Sequence, residues 1–181
     1  MRRATSTRAA LVGRPARDSE RTLRDYFGAD FPLDELRAQI DAQWLRLAAD
    51  SGLPRKPGLE PLLDLLEEAG IARAVATSTA RAKALHSLGD LAARFHALTC
   101  GDEVARGKPA PDIFLLAARR LELDPAQCLA LEDSPAGVAA ARSAGMPVIM
   151  IPDTVAPSED PQYLCDSLEQ VAGWVRTLYR A

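Results

Sequence analysis

Short apolar runs alternate with helical stretches from about residue 59 to the C-terminus. Four such runs are too short for helices and predict buried strands, at residues 72–77, 96–100, 128–132 and 147–151. Five helices are predicted around them, at residues 59–70, 79–88, 112–121, 134–144 and 166–178. This alternation is typical of the α/β fold class, and it predicts an open parallel sheet with helices on both faces.

Residues 1–54 differ from the rest because their apolar residues follow only helical spacing. In one stretch these residues recur every three or four positions, at Leu33, Leu36, Ile40, Trp44 and Leu47. This period gives one apolar helical face. The segment 51–58 is rich in Pro and Gly and has the composition of a linker. We therefore predict a small all-helical domain at residues 1–54 and an α/β core at residues 55–181.

Composition and charge argue against several classes of protein. The formal net charge is −3 and no long run of Lys or Arg occurs, so a nucleic-acid partner is not expected. No apolar run approaches the roughly 20 residues that a membrane span needs. The arginines near the N-terminus precede no sustained apolar segment of the kind found in secretory signals. The three cysteines are widely spaced, which favours reduced thiols and a cytoplasmic protein.

Polar side chains follow three of the predicted strands, near the point where each strand ends. Thr77 and Ser78 follow the first strand, Lys108 follows the second after a short loop, and Glu132 and Asp133 close the third. Ligands of open parallel sheets bind beyond the carboxyl ends of the strands, so these groups should meet there. Hydroxyls at a helix N-terminus and a lysine suit a phosphate, and carboxylates suit Mg²⁺. Taken singly, the same residues also fit helix capping, a solvated lysine and an acidic turn.

The order of these motifs resembles a known family. The segments VATST, GKPAPDIF and LEDSPAGVAAARSAGM resemble the second, third and fourth motifs of the haloacid dehalogenase-like (HAD) superfamily, in its β-phosphoglucomutase-like branch. The resemblance implies a Rossmann-like core and a phosphatase or phosphomutase that acts on a small phosphorylated metabolite through an aspartyl-phosphate. It further implies that Thr77 and Lys108 are catalytic, that Ser78 binds substrate, and that Asp133 and Glu132 hold Mg²⁺.

The helical front of the chain resembles the cap domain of the same family. Its segment LVGRP is similar to the cap stretch whose arginine contacts the substrate phosphate, which suggests Arg14 as a substrate-binding residue. A surface arginine without that role is the alternative. With this cap included, the resemblance runs from about Gly13 to the C-terminus.

One part of the family pattern is missing. The family's nucleophile is the first aspartate of a D-x-D motif, on a strand that precedes the cap. Within the first 60 residues no apolar strand ends in D-x-D, and the aspartates there lie in predicted helices or loops, at Asp18, Asp25, Asp30, Asp34 and Asp41. We therefore expect a chain that is inactive alone and binds Mg²⁺ weakly. We also expect a gap in the sheet between the strands that end at Thr77 and Glu132, closed by neighbouring strands or by self-association.

Two interpretations of the chain stay open at this point. The first is a phosphohydrolase whose sequence record is truncated, for example by a start codon assigned too late. The second is a catalytically dead HAD remnant with a binding or structural role. An unrelated flavodoxin-like binding domain fits the three ordered motifs less well. The in-frame DNA upstream of Met1 would distinguish the first two interpretations, because only the first predicts an apolar strand and D-x-D there.

Overall fold

The computed structural model describes residues 16–51, 54–153 and 164–179. The elements are α1 (Ala16–Phe27), α2 (Leu33–Ser51), α3 (Leu59–Glu68), β1 (Ala74–Thr77), α4 (Arg81–Leu88), β2 (Ala97–Cys100), α5 (Asp112–Arg120), β3 (Ala130–Glu132), α6 (Pro135–Ser143), β4 (Val148–Met150) and α7 (Leu168–Tyr179). Every helix and strand predicted for the α/β region is present, with ends that differ by a few residues. No helix in the described ranges is long and apolar enough to cross a bilayer.

Local sequence explains where several of these elements begin. Ser134 is the N-cap of α6, because its Oγ accepts a hydrogen bond from the Gly137 N–H at 3.1 Å. Pro135 occupies the first helical position, where no N–H donor is needed. Gly58 precedes α3 with a φ of 80°, a left-handed conformation that favours glycine. The helix α6 therefore begins directly after Glu132 and Asp133, at the carboxyl end of β3.

The strands form two separate parallel pairs. In the first pair Ala74 of β1 lies opposite Ala97 of β2, and in the second Ala130 of β3 lies opposite Val148 of β4. Among the described residues no strand ladder joins β1 to β3. The α/β class and the parallel strands are thus confirmed. In the described part of the chain the sheet is divided where the sequence predicted a gap, and β1 and β3 do not close it by pairing with each other.

Strand β4 is buried on both faces. Val148 and Met150 belong to an apolar cluster with residues of α5 and α6. Ile149 and Ile151 pack in a second cluster with residues of α3 and α7. Because successive residues of a strand point to opposite faces, helices cover both sides of this half of the sheet, as the sequence predicted.

The helix α2 lies against α4 of the α/β region. The Lys83 Nζ is 3.0 Å from the Asp41 carboxylate and 4.7 Å from the ring centroid of Trp44. The Trp44 ring also contacts the His86 ring, with centroids 4.9 Å apart. These contacts place the helical front of the chain beside the carboxyl end of β1. The division into domains at residues 54 and 55 stays a prediction.

The carboxylate of Glu103 lies beyond the end of β2, among three hydrogen-bond donors that include Arg81 at 3.3 Å. It accepts hydrogen bonds from the Arg120 guanidinium at 2.9 Å and from the Cys100 N–H at 2.8 Å. The bond from Arg120 is the main reason that the pKa of Glu103 is lowered from 4.5 to about 2. Since the folded-state pKa lies below the unfolded one, the resulting stability is present above about pH 4.5 and is lost as the pH falls towards 2.

We expect Glu103→Gln to lower the unfolding free energy at neutral pH and to flatten its fall between about pH 4.5 and 2. Urea denaturation at several pH values in that window and at neutral pH measures both effects. Glu68→Gln is the matched control, because it removes an exposed carboxylate at the last residue of α3. If the unfolding free energies of the two variants depend on pH in the same way, the contacts of Glu103 do not cause the loss of stability in acid.

Candidate functional site

Lys108 lies in the loop between β2 and α5 and has only 6% of its surface exposed. Its Nζ donates to the Ala76 carbonyl oxygen at 3.1 Å and forms a short ion pair with the Glu132 carboxylate. The same Nζ is 4.9 Å from the ring centroid of Phe114 in α5. A buried ammonium group is costly unless it is paired and hydrogen-bonded. The contacts with β1, β3 and α5 therefore hold this lysine at the carboxyl ends of two strands.

The two acidic residues at the end of β3 have different surroundings. Glu132 is 8% exposed, and besides Lys108 its carboxylate accepts hydrogen bonds from the Ser134 hydroxyl at 3.4 Å and the Asp133 N–H at 3.3 Å. Asp133 is exposed, and none of the described residues donates a hydrogen bond to its carboxylate. Glu132 therefore anchors Lys108, whereas the oxygens of Asp133 remain open.

Strand β1 ends in hydroxyl side chains that are half-buried. The Thr77 Oγ1 accepts a hydrogen bond from the Thr79 N–H at 3.2 Å, which shapes the turn into α4. Ser78 lies close to the end of β2, and a side chain at Gly101 would overlap with the Ser78 carbonyl oxygen. Glycine at position 101 thus allows the ends of β1 and β2 to come together beside the site.

A cavity of about 810 Å³ lies at the carboxyl ends of β1 and β3. Five of the six residues that the sequence predicted for the site border it, namely Thr77, Ser78, Lys108, Glu132 and Asp133. The sixth, Arg14, lies outside the described residues. The structure thus brings together side chains from three separate strand ends.

The cavity wall also contains four charged residues that the sequence did not indicate as part of the site, Arg37, Asp41, Lys56 and Lys83. Each of the three cations has an acidic neighbour: Arg37 pairs closely with Glu20, Lys83 with Asp41, and Lys56 with Asp153 at 3.3 Å. Arg37 and Asp41 are four residues apart and therefore share one face of α2. That spacing is visible in the sequence, but nothing in the sequence shows that this face of α2 borders the cavity.

A divalent cation would find one open carboxylate here. Mg²⁺ takes oxygen ligands, often one or two carboxylates together with phosphate oxygens and water. Asp133 fits that description, whereas Glu132 is engaged by Lys108 and Ser134. In the described part of the chain, no three His, Cys, Asp or Glu residues cluster in a way that could hold a metal ion. The donor set therefore fits Mg²⁺ only in part, through Asp133.

Gly137 of α6 lies against the Glu132 carboxylate at the end of β3. A Cβ at this position would overlap with the Glu132 carboxylate. We expect Gly137→Ala to displace Glu132 from Lys108 and to lower the unfolding free energy by about 1–3 kcal/mol, as overpacking does in protein cores. Urea denaturation measures this change.

Gly173→Ala in α7 is the matched control for that substitution, because a Cβ there meets nothing within 4 Å. Replacing this helical glycine should raise stability by about 0.5–1 kcal/mol. The two substitutions should thus change the unfolding free energy in opposite directions. Equal changes would contradict the close contact between Gly137 and Glu132.

The chain is similar in sequence and fold to known proteins. A family model described as haloacid dehalogenase-like hydrolase matches residues 4–145. The chain is 35% identical over 140 residues to protein CbbY of Rhodobacter capsulatus, which covers 73% of this chain and 60% of that protein. It is 35% identical over 153 residues to hexitol phosphatase A of Escherichia coli, covering 78% and 69% of the two chains. A crystal structure of a candidate β-phosphoglucomutase from Thermotoga maritima matches with a TM-score of 0.74 at 26% identity, covering 96% of this chain and 83% of that chain.

The shared region includes the cavity-lining residues of the α/β part up to α6. The chain spans only 60% of the length of Rhodobacter capsulatus CbbY. Moreover, no D-x-D sequence occurs anywhere in the 181 residues. The residues that the sequence predicts to face a phosphate are therefore present in this chain, and a D-x-D sequence is not.

Proposed function

We propose that this chain, which belongs to the haloacid dehalogenase-like hydrolases and to their β-phosphoglucomutase-like branch, is the greater part of a phosphatase or phosphomutase for a small phosphorylated metabolite. The observation that carries the proposal is the buried Lys108–Glu132 ion pair beside a cavity bordered by Thr77 and Ser78. A cation held rigidly next to hydroxyl groups can stabilise a phosphoryl group without reorganisation during the reaction.

Each side chain then has a definite task. Lys108 neutralises charge on the phosphoryl oxygens, while Thr77 and Ser78 offer hydroxyl hydrogen bonds to the same group. Glu132 is a positioning residue that fixes the Lys108 ammonium group between β1 and β3. We keep Arg14 as the proposed contact to substrate phosphate from the helical front of the chain.

The proposed chemistry passes through an aspartyl-phosphate. A carboxylate oxygen attacks phosphorus, the ester P–O bond breaks, and the departing alcohol oxygen takes up a proton. Water then takes the phosphoryl group from the aspartate in a phosphatase, and a second hydroxyl group takes it in a mutase. The attacking carboxylate must come from a D-x-D strand that the 181 residues do not contain.

Mg²⁺ would neutralise charge on the transferring group when it is bound. Within this chain we propose Asp133 as its ligand, with Glu132 adjacent but paired with Lys108. A site with one open carboxylate should hold Mg²⁺ weakly, because the ion normally gains further protein or phosphate oxygens.

A phosphorylated sugar or polyol is the proposed substrate class. The cavity wall carries Arg37, Lys56 and Lys83 besides the phosphate-facing residues. Such a wall suits a substrate with several hydroxyl groups and a negative charge. The name of the hexitol phosphatase A that the chain resembles supports this class.

The proposal is tested with the chain extended at its N-terminus by an apolar strand that ends in D-x-D. This protein should hydrolyse small sugar and polyol phosphates with Mg²⁺. Lys108→Ala should lower kcat on the order of 10²-fold or more, as loss of one preorganised charge-stabilising group does. Asp133→Asn should raise the Mg²⁺ concentration needed for half-maximal rate.

Arg106→Ala is the matched control. Arg106 is exposed, lies two residues from Lys108 and pairs with Asp112 outside the cavity wall. Its loss should leave the rate unchanged. An extended chain whose rate is insensitive to Lys108→Ala would contradict the proposed site.

A further inference from the structure

The turn between β1 and α4 carries the Thr77 and Ser78 hydroxyl groups that border the cavity. Inside this turn the Thr77 Oγ1 accepts a hydrogen bond from the Thr79 N–H at 3.2 Å. A hydroxyl oxygen that accepts in this way keeps its own hydrogen, so Thr77 can still donate to a ligand. Whether that donor reaches a ligand depends on where the turn is held.

The end of β2 and the residues that follow it hold this turn through three contacts. The Thr79 carbonyl oxygen accepts a hydrogen bond from the Gly101 N–H at 3.0 Å. The Arg81 N–H, at the first position of α4, donates to the two oxygens of the Asp102 carboxylate at 3.1 and 3.2 Å. The Arg81 guanidinium group donates to the Leu98 carbonyl oxygen at 3.1 Å. The turn is thus bound through a carbonyl group, a main-chain N–H and a side chain.

Asp102 supplies an acceptor that the sequence next to α4 does not provide. The residue before this helix is Ala80, whose side chain accepts no hydrogen bond. The first N–H groups of a helix have no partner within the helix, and a Ser, Thr, Asp or Asn at that position usually provides one. Here the carboxylate comes from a residue 21 positions further along the chain. A negative charge beside a helix N-terminus is also favourable.

Asp102 itself lies outside the cavity wall. Its side chain is exposed, and the described residues that border the cavity include residues 77–80 but not Asp102. Any influence of Asp102 hydrogen bonding on a ligand in the cavity must therefore pass through the turn that it holds.

We propose that Asp102 is a positioning residue for phosphate binding. Its carboxylate fixes the first turn of α4 through the Arg81 N–H, and the turn before the helix then presents the Thr77 hydroxyl group to the phosphoryl group. This inference rests on the proposed function, because it takes Thr77 as a phosphate contact.

Charge and position predict opposite effects when Asp102 is replaced. A carboxylate repels an anion, so its loss should strengthen phosphate binding if charge alone matters. Loss of the acceptor should instead release the turn and weaken phosphate binding. Asp102→Ala removes the charge and the acceptor, whereas Asp102→Asn removes the charge and keeps a side-chain oxygen that can accept from Arg81.

The test titrates the 181-residue chain with inorganic phosphate and follows the amide chemical shifts of Thr77 and Thr79 by NMR. Asp102→Ala should bind phosphate roughly five- to tenfold more weakly than the unchanged chain, the size of effect that loss of a helix-capping acceptor has. Asp102→Asn should bind phosphate at least as tightly as the unchanged chain. Hydrogen exchange at the Arg81 N–H should become faster in Asp102→Ala and stay the same in Asp102→Asn.

Asp124→Ala is the matched control. The Asp124 carboxylate accepts a hydrogen bond from the Ala126 N–H at 2.8 Å, at the start of a short 3₁₀ helix, and Asp124 is likewise exposed and outside the cavity wall. The substitution removes the same kind of bond, so it should lower stability without changing the phosphate affinity. Urea denaturation of both alanine variants compares their stabilities.

The possible outcomes separate this inference from the proposed function. If the unchanged chain binds phosphate and Asp102→Ala binds it equally or more tightly, the inference is wrong and the proposed function stands. Weakening of the same size in Asp102→Asn or in Asp124→Ala would also overturn the inference, because the lost acceptor at α4 would not be its cause. If phosphate shifts neither the Thr77 nor the Thr79 amide of the unchanged chain, the inference and the proposed phosphate contact of Thr77 both fail.

Discussion

Residues 1–181 alone should hydrolyse a generic aryl phosphate no faster than the background rate. Thr77, Lys108 and Asp133 can bind and polarise a phosphate, but without a nucleophilic carboxylate no aspartyl-phosphate forms. Removal of a nucleophile typically costs on the order of 10⁴-fold or more in kcat. An N-terminal extension through an apolar strand ending in D-x-D should restore Mg²⁺-dependent turnover. A single colorimetric assay on the two proteins measures the difference.

The control for this comparison is the extended chain with the first aspartate of its D-x-D changed to asparagine. That variant keeps the added strand but loses the nucleophile, so its rate should fall back to that of residues 1–181. If the short chain is as active as the long one, the nucleophile lies within residues 1–181 and the motif assignment is wrong. If both proteins fold and neither is active, the catalytically dead remnant with a binding or structural role is the better description.

Glu132→Ala should be among the most destabilising single substitutions in this chain. It removes the only carboxylate that pairs with Lys108 among the described residues, and Lys108 is a residue with only 6% of its surface exposed. Breaking a buried ion pair in this way typically costs about 3–5 kcal/mol. Urea denaturation measures the loss. The double variant Lys108→Met with Glu132→Leu should recover much of it, since no buried charge remains unpaired.

Glu60→Ala provides the matched comparison. Glu60 pairs with Arg55 on the surface, where both side chains are largely exposed. Such pairs contribute about 0–1 kcal/mol. If Glu132→Ala lowers the unfolding free energy as little as Glu60→Ala does, the ammonium group of Lys108 is not shielded from water.

The order and type of the elements in the α/β region were predictable because they depend on local sequence. Apolar runs of four to six residues cannot form a stable isolated helix, and Ser134 with Pro135 specifies where α6 begins. The meeting of Thr77, Lys108 and Asp133 was also predictable. The carboxyl ends of parallel strands share one edge, so spacing along the chain was enough to bring these groups to one cavity.

Tertiary structure alone decided how the two acids divide their tasks. Glu132 and Asp133 are adjacent in sequence, and local pattern gives them the same predicted role. Glu132 is the last residue of β3 and reaches the buried Lys108, whereas Asp133 lies beyond the strand and is exposed. Likewise, the position of α2 over the cavity follows from Lys83, Asp41 and Trp44 meeting across the chain. Such contacts depend on the packing of distant elements, which the periodicity of neither element encodes.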